Sequence, residues 1–148
     1  MTVPISAGLL TQTDRYFDAL SEYRTGNPAP IVERVANATF AALENGRRLI
    51  NDLRDIRSDW ATCIKARRGA KTWVIADVLF RHPVVNAPLV AAQAEVALPN
   101  VYRSLAPLAE AGVLVAFTDK KRNQLWRAPD ILNALDAFAA RAGRRTPG

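Results

Sequence analysis

The chain has 148 residues, 49% of them apolar and 23% charged, which suffices for one globular domain or two small ones with roughly 68–70% of the unfolded surface buried. Seven Gly, nine Pro and no run near the roughly 20 uninterrupted apolar residues of a membrane span exclude wholesale disorder and a membrane partner. One cysteine, Cys63, and one histidine, His82, are too few for an internal disulfide, a zinc site or a Cys/His catalytic pair, so no metal or cofactor is expected. The opening MTVPISAGLL has no cationic segment before its apolar residues, so it reads as neither a secretory nor a transit peptide, and a cytoplasmic location is expected. Net charge is +6, shared as +2 over residues 1–68 and +4 over residues 69–148. A basic surplus of that size suits a phosphate polymer, and it equally serves solubility.

The first periodic segment, TDRYFDALSEYRT (13–25), places Tyr16, Phe17, Leu20 and Tyr23 at three- and four-residue steps and predicts an amphipathic helix. Gly26 suits its end, and Pro28 and Pro30 prevent its continuation. From Ile31 to about Arg67, Val32, Val35, Phe40, Leu43, Ile50, Leu53, Trp60 and Ile64 keep helical spacing without a proline. This predicts one long helix, or two with a break near Asn45 and Gly46. A helix of that length spans roughly 55 Å and must pack on more than one neighbour or on another copy, although Arg57 interrupts the heptad row of Leu43, Ile50, Leu53 and Trp60.

KARRGAK (65–71) marks the expected boundary, with Gly69 ending the helix and its four cations in water or along a phosphate backbone. The sequence thus divides into a helical segment, 1–69, and a second domain, 70–148. There, AKTWVIADVLFRHP reads as a short helix, VVN (84–86) as a brief extended piece, and Asn86 as the cap of a helix APLVAAQAEVA with Pro88 in its first turn. After a turn near Ala97 and Leu98, PNVYRSLAPLAEAG reads as a helix with Val101, Leu105 and Leu108 inward and Gly112 at its end. VLVAF and QLWRA read as two strands around the polar turn TDKKRN, and DILNALDAFAAR (130–141) as a closing helix capped by Asp130.

Helix, extended piece, helix, turn, helix and hairpin is the order of a winged helix-turn-helix, whose third helix reads a groove and whose hairpin is the wing. The expected fold class is therefore mostly α: a helical segment with one long helix, then a winged helix-turn-helix with a two-stranded β wing. Candidate DNA-contacting residues are Asn100, Arg103 and Ser104 on the outer face of the third helix, beside Pro107, and Lys120, Lys121 and Arg122 at the wing tip. Pro107 removes one helical hydrogen bond at a cost of about 3 kcal/mol, which predicts a kinked or short reading helix. Cys63, one turn past Trp60, reads as a small core residue. Asp52, Asp55 and Asp59, near Arg48 and Arg54, read as a salt-bridged solvated face.

Through VPISAGLL, DRYFDALSEYRTGN, the long helix ending near SDW, and HPVVNAPLVAAQAEVALPNVYRSLAPLAEAGVL, the chain resembles the C-terminal region of Fic-family proteins, whose enzymes transfer AMP to hydroxyl side chains. The resemblance implies helices that follow the family's catalytic loop, joined to an appended winged helix. The defining loop, His-Pro-Phe, an acidic residue and Gly-Asn-Gly-Arg, would lie before residue 1. The one His-Pro pair, His82 and Pro83, is followed by VVNAP, and Asn45-Gly46-Arg47 lacks the histidine and the preceding glycine. The expectation is a non-catalytic regulatory or interaction module of a Fic-like protein, not an enzyme in itself. Its expected partners are DNA, a protein target or a second copy through the long helix. The alternative is a stand-alone dimeric winged-helix transcription regulator.

Overall fold

The computed structural model describes residue 9, residues 13–117 and residues 124–142. The chain is mostly helical, with α1 (Thr13–Arg24), α2 (Ala29–Cys63), α3 (Lys71–Leu79), β1 (Val84–Asn86), α4 (Ala87–Ala94), a 3-10 turn (Leu98–Asn100), α5 (Val101–Glu110), β2 (Val115–Ala116), β3 (Leu125–Arg127) and α6 (Pro129–Arg141). It forms two compact units, residues 1–51 with 135–148, and residues 52–134. This is not the expected division at Gly69. The last third of α2 supplies Trp60, and the residue after it Ile64, to the same core as α3, so the second unit begins inside the long helix.

In the first unit, α1 stops where Gly26 takes φ +98° and the N–H groups of Gly26 and Asn27 bond the carbonyls of Tyr23 and Glu22, both at 3.1 Å. The buried residues here are small: Ala19, Ala38 and Ala42. The expected inward row of α1 is not buried, since Phe17 and Tyr23 are exposed and Tyr16 and Leu20 half-buried. Alanine contacts bring helices close together, and the bulky residues then stand outside the contact. Of the two readings of the second periodic segment, α2 is the single long helix, with no break at Asn45 and Gly46. Asn45 instead joins α2 to α6: its Nδ2 donates to the Phe138 carbonyl at 3.1 Å and its Oδ1 accepts from Arg141 Nε at 2.6 Å.

The second unit is a winged helix. Helices α3, α4 and α5 pack on one another around Ile75, Leu79, Val90, Val101, Leu105 and Leu108. The extended piece VVN is itself a strand, making a three-stranded antiparallel sheet in the order β1-β3-β2. Val85 and Ala116 both face Trp126 of β3, and Gly112 at φ +74° turns the chain from α5 toward β2. Trp60 is 1% exposed, packs on Phe80 at the C-terminal end of α3 with ring centroids 5.1 Å apart, and donates its indole N–H to Asp130 Oδ2 at 3.0 Å. Asp130 therefore lies inside the first turn of α6 and accepts from a tryptophan, rather than capping the helix as expected.

Two local expectations near the end of α2 change for one reason. The helix stops at Cys63, short of Gly69, because Ile64 turns into the core beside Trp60. Cys63 is then left exposed at the helix end. Arg57, the misfit of the heptad row, is half-buried beside α3: its Nε donates to Asp77 at 2.9 Å and its guanidinium lies 5.3 Å from the Trp73 ring centroid. Among the described residues, Arg48 pairs with Glu44 one turn earlier rather than with an aspartate of the expected acidic face.

A fragment beginning at Asp52 and ending at Ala142 is expected to melt cooperatively, whereas one beginning at Ala70 loses Trp60 and Ile64 and with them at least about 3 kcal/mol. Parallel urea titrations of the two fragments check this; equal midpoints would show that α2 contributes nothing to the winged-helix core.

Candidate nucleic-acid interface

Helix α5, the candidate reading helix, is positioned by a chain of local rules. Asn86 is extended and its Oδ1 accepts the Leu89 N–H at 2.9 Å, so α4 starts at Ala87 with Pro88 in its first turn. The other end of α4 closes on Glu95, a left-handed non-glycine at φ +51°, while the Val96 N–H bonds the Ala91 carbonyl at 3.1 Å. Lys71 Nζ donates to the Ala94 carbonyl at 2.9 Å, a cation on the last turn of a helix, where the dipole favours it. The chain then makes the 3-10 turn Leu98–Asn100 and runs directly into α5.

Helix α5 is strongly amphipathic, with Val101, Leu105 and Leu108 buried as expected. It passes through Pro107 and ends at Glu110, one turn later. A second bond fixes its placement: the buried Thr72 hydroxyl of α3 donates to the Ser104 carbonyl at 3.1 Å. Thr72 is the one fully buried polar residue among those described, and its partner meets the requirement that buried polar groups be hydrogen-bonded.

The candidate residues fare differently. Asn100, at the junction of the 3-10 turn and α5, and Arg103 are exposed and three residues apart on neighbouring helical positions. Ser104 is half-buried, and its hydroxyl donates back to the Asn100 carbonyl at 3.1 Å, so it faces along the helix rather than outward. Pro107 is half-buried as well. Lys120, Lys121 and Arg122 lie outside the described residues.

Two further side chains belong to this face. Tyr102 is 51% exposed and meets Trp126 of β3 edge to face, ring centroids 5.6 Å apart, so it joins α5 to the wing strand. Arg127, on β3 opposite Val84 and Val115, holds its guanidinium 5.5 Å from the ring centroid of the exposed Phe117. Sequence patterning gave no sign of either, because both depend on which residues the wing strands bring opposite one another. His82 sits in the turn between α3 and β1, its backbone N–H bonded to the Val78 carbonyl at 2.9 Å.

No grouping of His, Cys, Asp and Glu suited to a metal ion occurs among the described residues, and none of their helices is long and apolar enough to cross a membrane. Neither a scan against protein-family models nor a search of curated proteins finds a match to this chain.

Replacing Thr72 by Val removes the bond to Ser104 while keeping the volume, and is expected to lower stability by about 1 kcal/mol. Urea denaturation followed by tryptophan fluorescence measures it.

Proposed function

We propose that the chain is a non-catalytic regulatory module that works in the cytoplasm and contacts duplex DNA through the winged helix. The observation that carries this reading is the exposed pair Asn100 and Arg103 at the start of α5, on a helix whose opposite face is locked to α3 and whose side is joined to the wing by Tyr102. In winged helices the start of the third helix enters the major groove, where Arg pairs with guanine edges or phosphates and Asn with adenine. The basic surplus of residues 69–148 supports the same reading, through the sequence-independent attraction of phosphates.

The resemblance to the C-terminal region of Fic-family proteins supports a more specific version, in which the helical segment supports an AMP-transferring core carried by other chain and the winged helix recruits a partner to it. Nucleotidyl transfer needs a base for the target hydroxyl and donors that cradle phosphate charge. In this reading His82 is a turn residue and takes no part in such chemistry. The alternative, a stand-alone transcription regulator that dimerises through the long helix, shares the DNA contact and differs in what the first unit binds.

Fluorescence anisotropy with a mixed-sequence duplex, read at several salt concentrations, tests the DNA contact. Binding should weaken with a log–log slope of roughly 0.9 for each phosphate neutralised. Arg103→Ala should reduce the affinity by about 1–3 kcal/mol, and replacing Lys120, Lys121 and Arg122 together should flatten the slope. Absence of salt-dependent binding would overturn the proposal. Incubation of the chain with labelled ATP, magnesium and cell lysate should give no labelled protein; labelling that His82→Ala removes would overturn the non-catalytic reading.

A further inference from the structure

The first unit leaves an apolar seam partly exposed along one side of α2, with Val32, Ala36 and Leu43 exposed and Thr39, Gly46 and Ile50 half-buried. Val32, Ala36, Thr39, Leu43, Gly46 and Ile50 alternate at four- and three-residue steps, the spacing of a helix that pairs with another helix. Helix α2 spends its small residues Ala38 and Ala42 on its own unit, while Val32 stays 65% exposed and Phe40, flanking the seam, 71% exposed. The one hydroxyl in the seam makes no demand on water, since Thr39 Oγ1 donates to the Val35 carbonyl at 2.8 Å. The row does not continue bare: Leu53 and Trp60, its next apolar members, lie in or against the winged-helix core.

Gly46 is the most informative member. A glycine inside a helix costs about 1 kcal/mol relative to alanine, and a Cβ built at Gly46 would meet nothing within 4 Å in this chain. No contact within the molecule requires the missing side chain, so the space it leaves is outside, on the seam.

The charges beside the seam indicate what fills that space. Glu33 and Arg47 are both exposed, flank the seam on the same side as Phe40, and each lies seven residues from it, one on either side. Neither has a salt-bridge partner among the described residues. An antiparallel copy of the same helix in which Phe40 meets its counterpart on the flank of the seam sets Glu33 against Arg47 at both ends. In that register Val32 meets Ile50, Thr39 meets Leu43 and Ala36 meets Gly46 of the second copy, so the glycine lies where two backbones approach most closely. A parallel copy would leave both charges without a complement, because flanking charges in a parallel pair meet positions five residues away.

We propose that α2 is a self-association surface: two copies of this chain pair antiparallel along Val32–Ile50, with Glu33 of each facing Arg47 of the other. The pairing is independent of the DNA contact proposed above and is measured without nucleic acid.

Sedimentation equilibrium of the full chain should show a dimer at concentrations on the order of 100 µM, as suits a short interface. Glu33→Arg alone and Arg47→Glu alone each place like charges at both ends of the pair, and each should weaken self-association about tenfold. An equimolar mixture of the two variants should recover the dimer, since every reversed charge then meets its complement. Gly46→Leu, which favours the helix, should retain the circular dichroism of the wild type and abolish the dimer. A wild-type monomer at this concentration would overturn the proposal, as would a dimer indifferent to both reversals or reversals that the mixture fails to rescue.

Discussion

The burial of Trp60 is the constraint on which the winged-helix unit depends. An indole is the largest side chain available, and enclosing it removes both apolar surface and a hydrogen-bond donor from water. The structure meets both demands at once: Phe80 packs against the indole at a tilt and the Asp130 carboxylate accepts the N–H. Because Asp130 opens α6, the same contact fixes where the last helix starts. Ile64 follows Trp60 into the core, which ends α2 and frees the next residues to reach α3. Arg57, one turn earlier, finds Asp77 and Trp73 on α3, so even the polar interruption of the row is matched by the unit it joins.

Net charge describes the candidate face of α5 less well than the side chains do. Several cations of the second unit already serve the fold. Lys71 satisfies the last carbonyl of α4, Arg57 is paired, and Arg127 lies over Phe117. What α5 then presents beside the wing is Asn100, Tyr102 and Arg103, a surface of hydrogen-bonding and stacking groups more than of charge. In the proposed contact with duplex DNA, such a face would discriminate through a few directional contacts, with phosphate attraction supplied elsewhere on the surface. Thr72 matters to it indirectly, since the bond to the Ser104 carbonyl sets the rotation of α5 and so the direction in which Arg103 leaves the helix.

The first unit follows another logic. Its internal contacts are made by alanines and by the Asn45 amide, while Phe17, Tyr23, Val32 and Phe40 remain in water. These exposed aromatic and branched residues are shared between α1, with Phe17 and Tyr23, and α2, with Val32 and Phe40, and the proposed self-association would cover those on α2. Thus the two units differ in where their large apolar groups go: inward around Trp60 in one, outward along α1 and α2 in the other.

Local rules made much of this legible in advance. The Gly26 stop, the Asn86 cap, the inward row of α5 and the order of helices and strands each rest on interactions a few residues apart, which periodicity and capping chemistry expose directly. What the sequence by itself determined was therefore the mostly helical class, the long helix and the winged-helix order. Tertiary structure alone decided that VVN joins the sheet, that Cys63 faces water, that Ser104 turns back to Asn100, and that the second unit begins within α2. It also decided which apolar stripe is covered. Trp60 and Phe40 stand on the same helix with similar hydrophobic weight, and one is enclosed while the other is exposed because α3 and α6 meet the helix at Trp60. Asp130 lies 70 residues from Trp60, and no periodic pattern carries information over that separation. A helical period fixes which side chains share a face, and only the arrival of a neighbouring element fixes whether that face is inside.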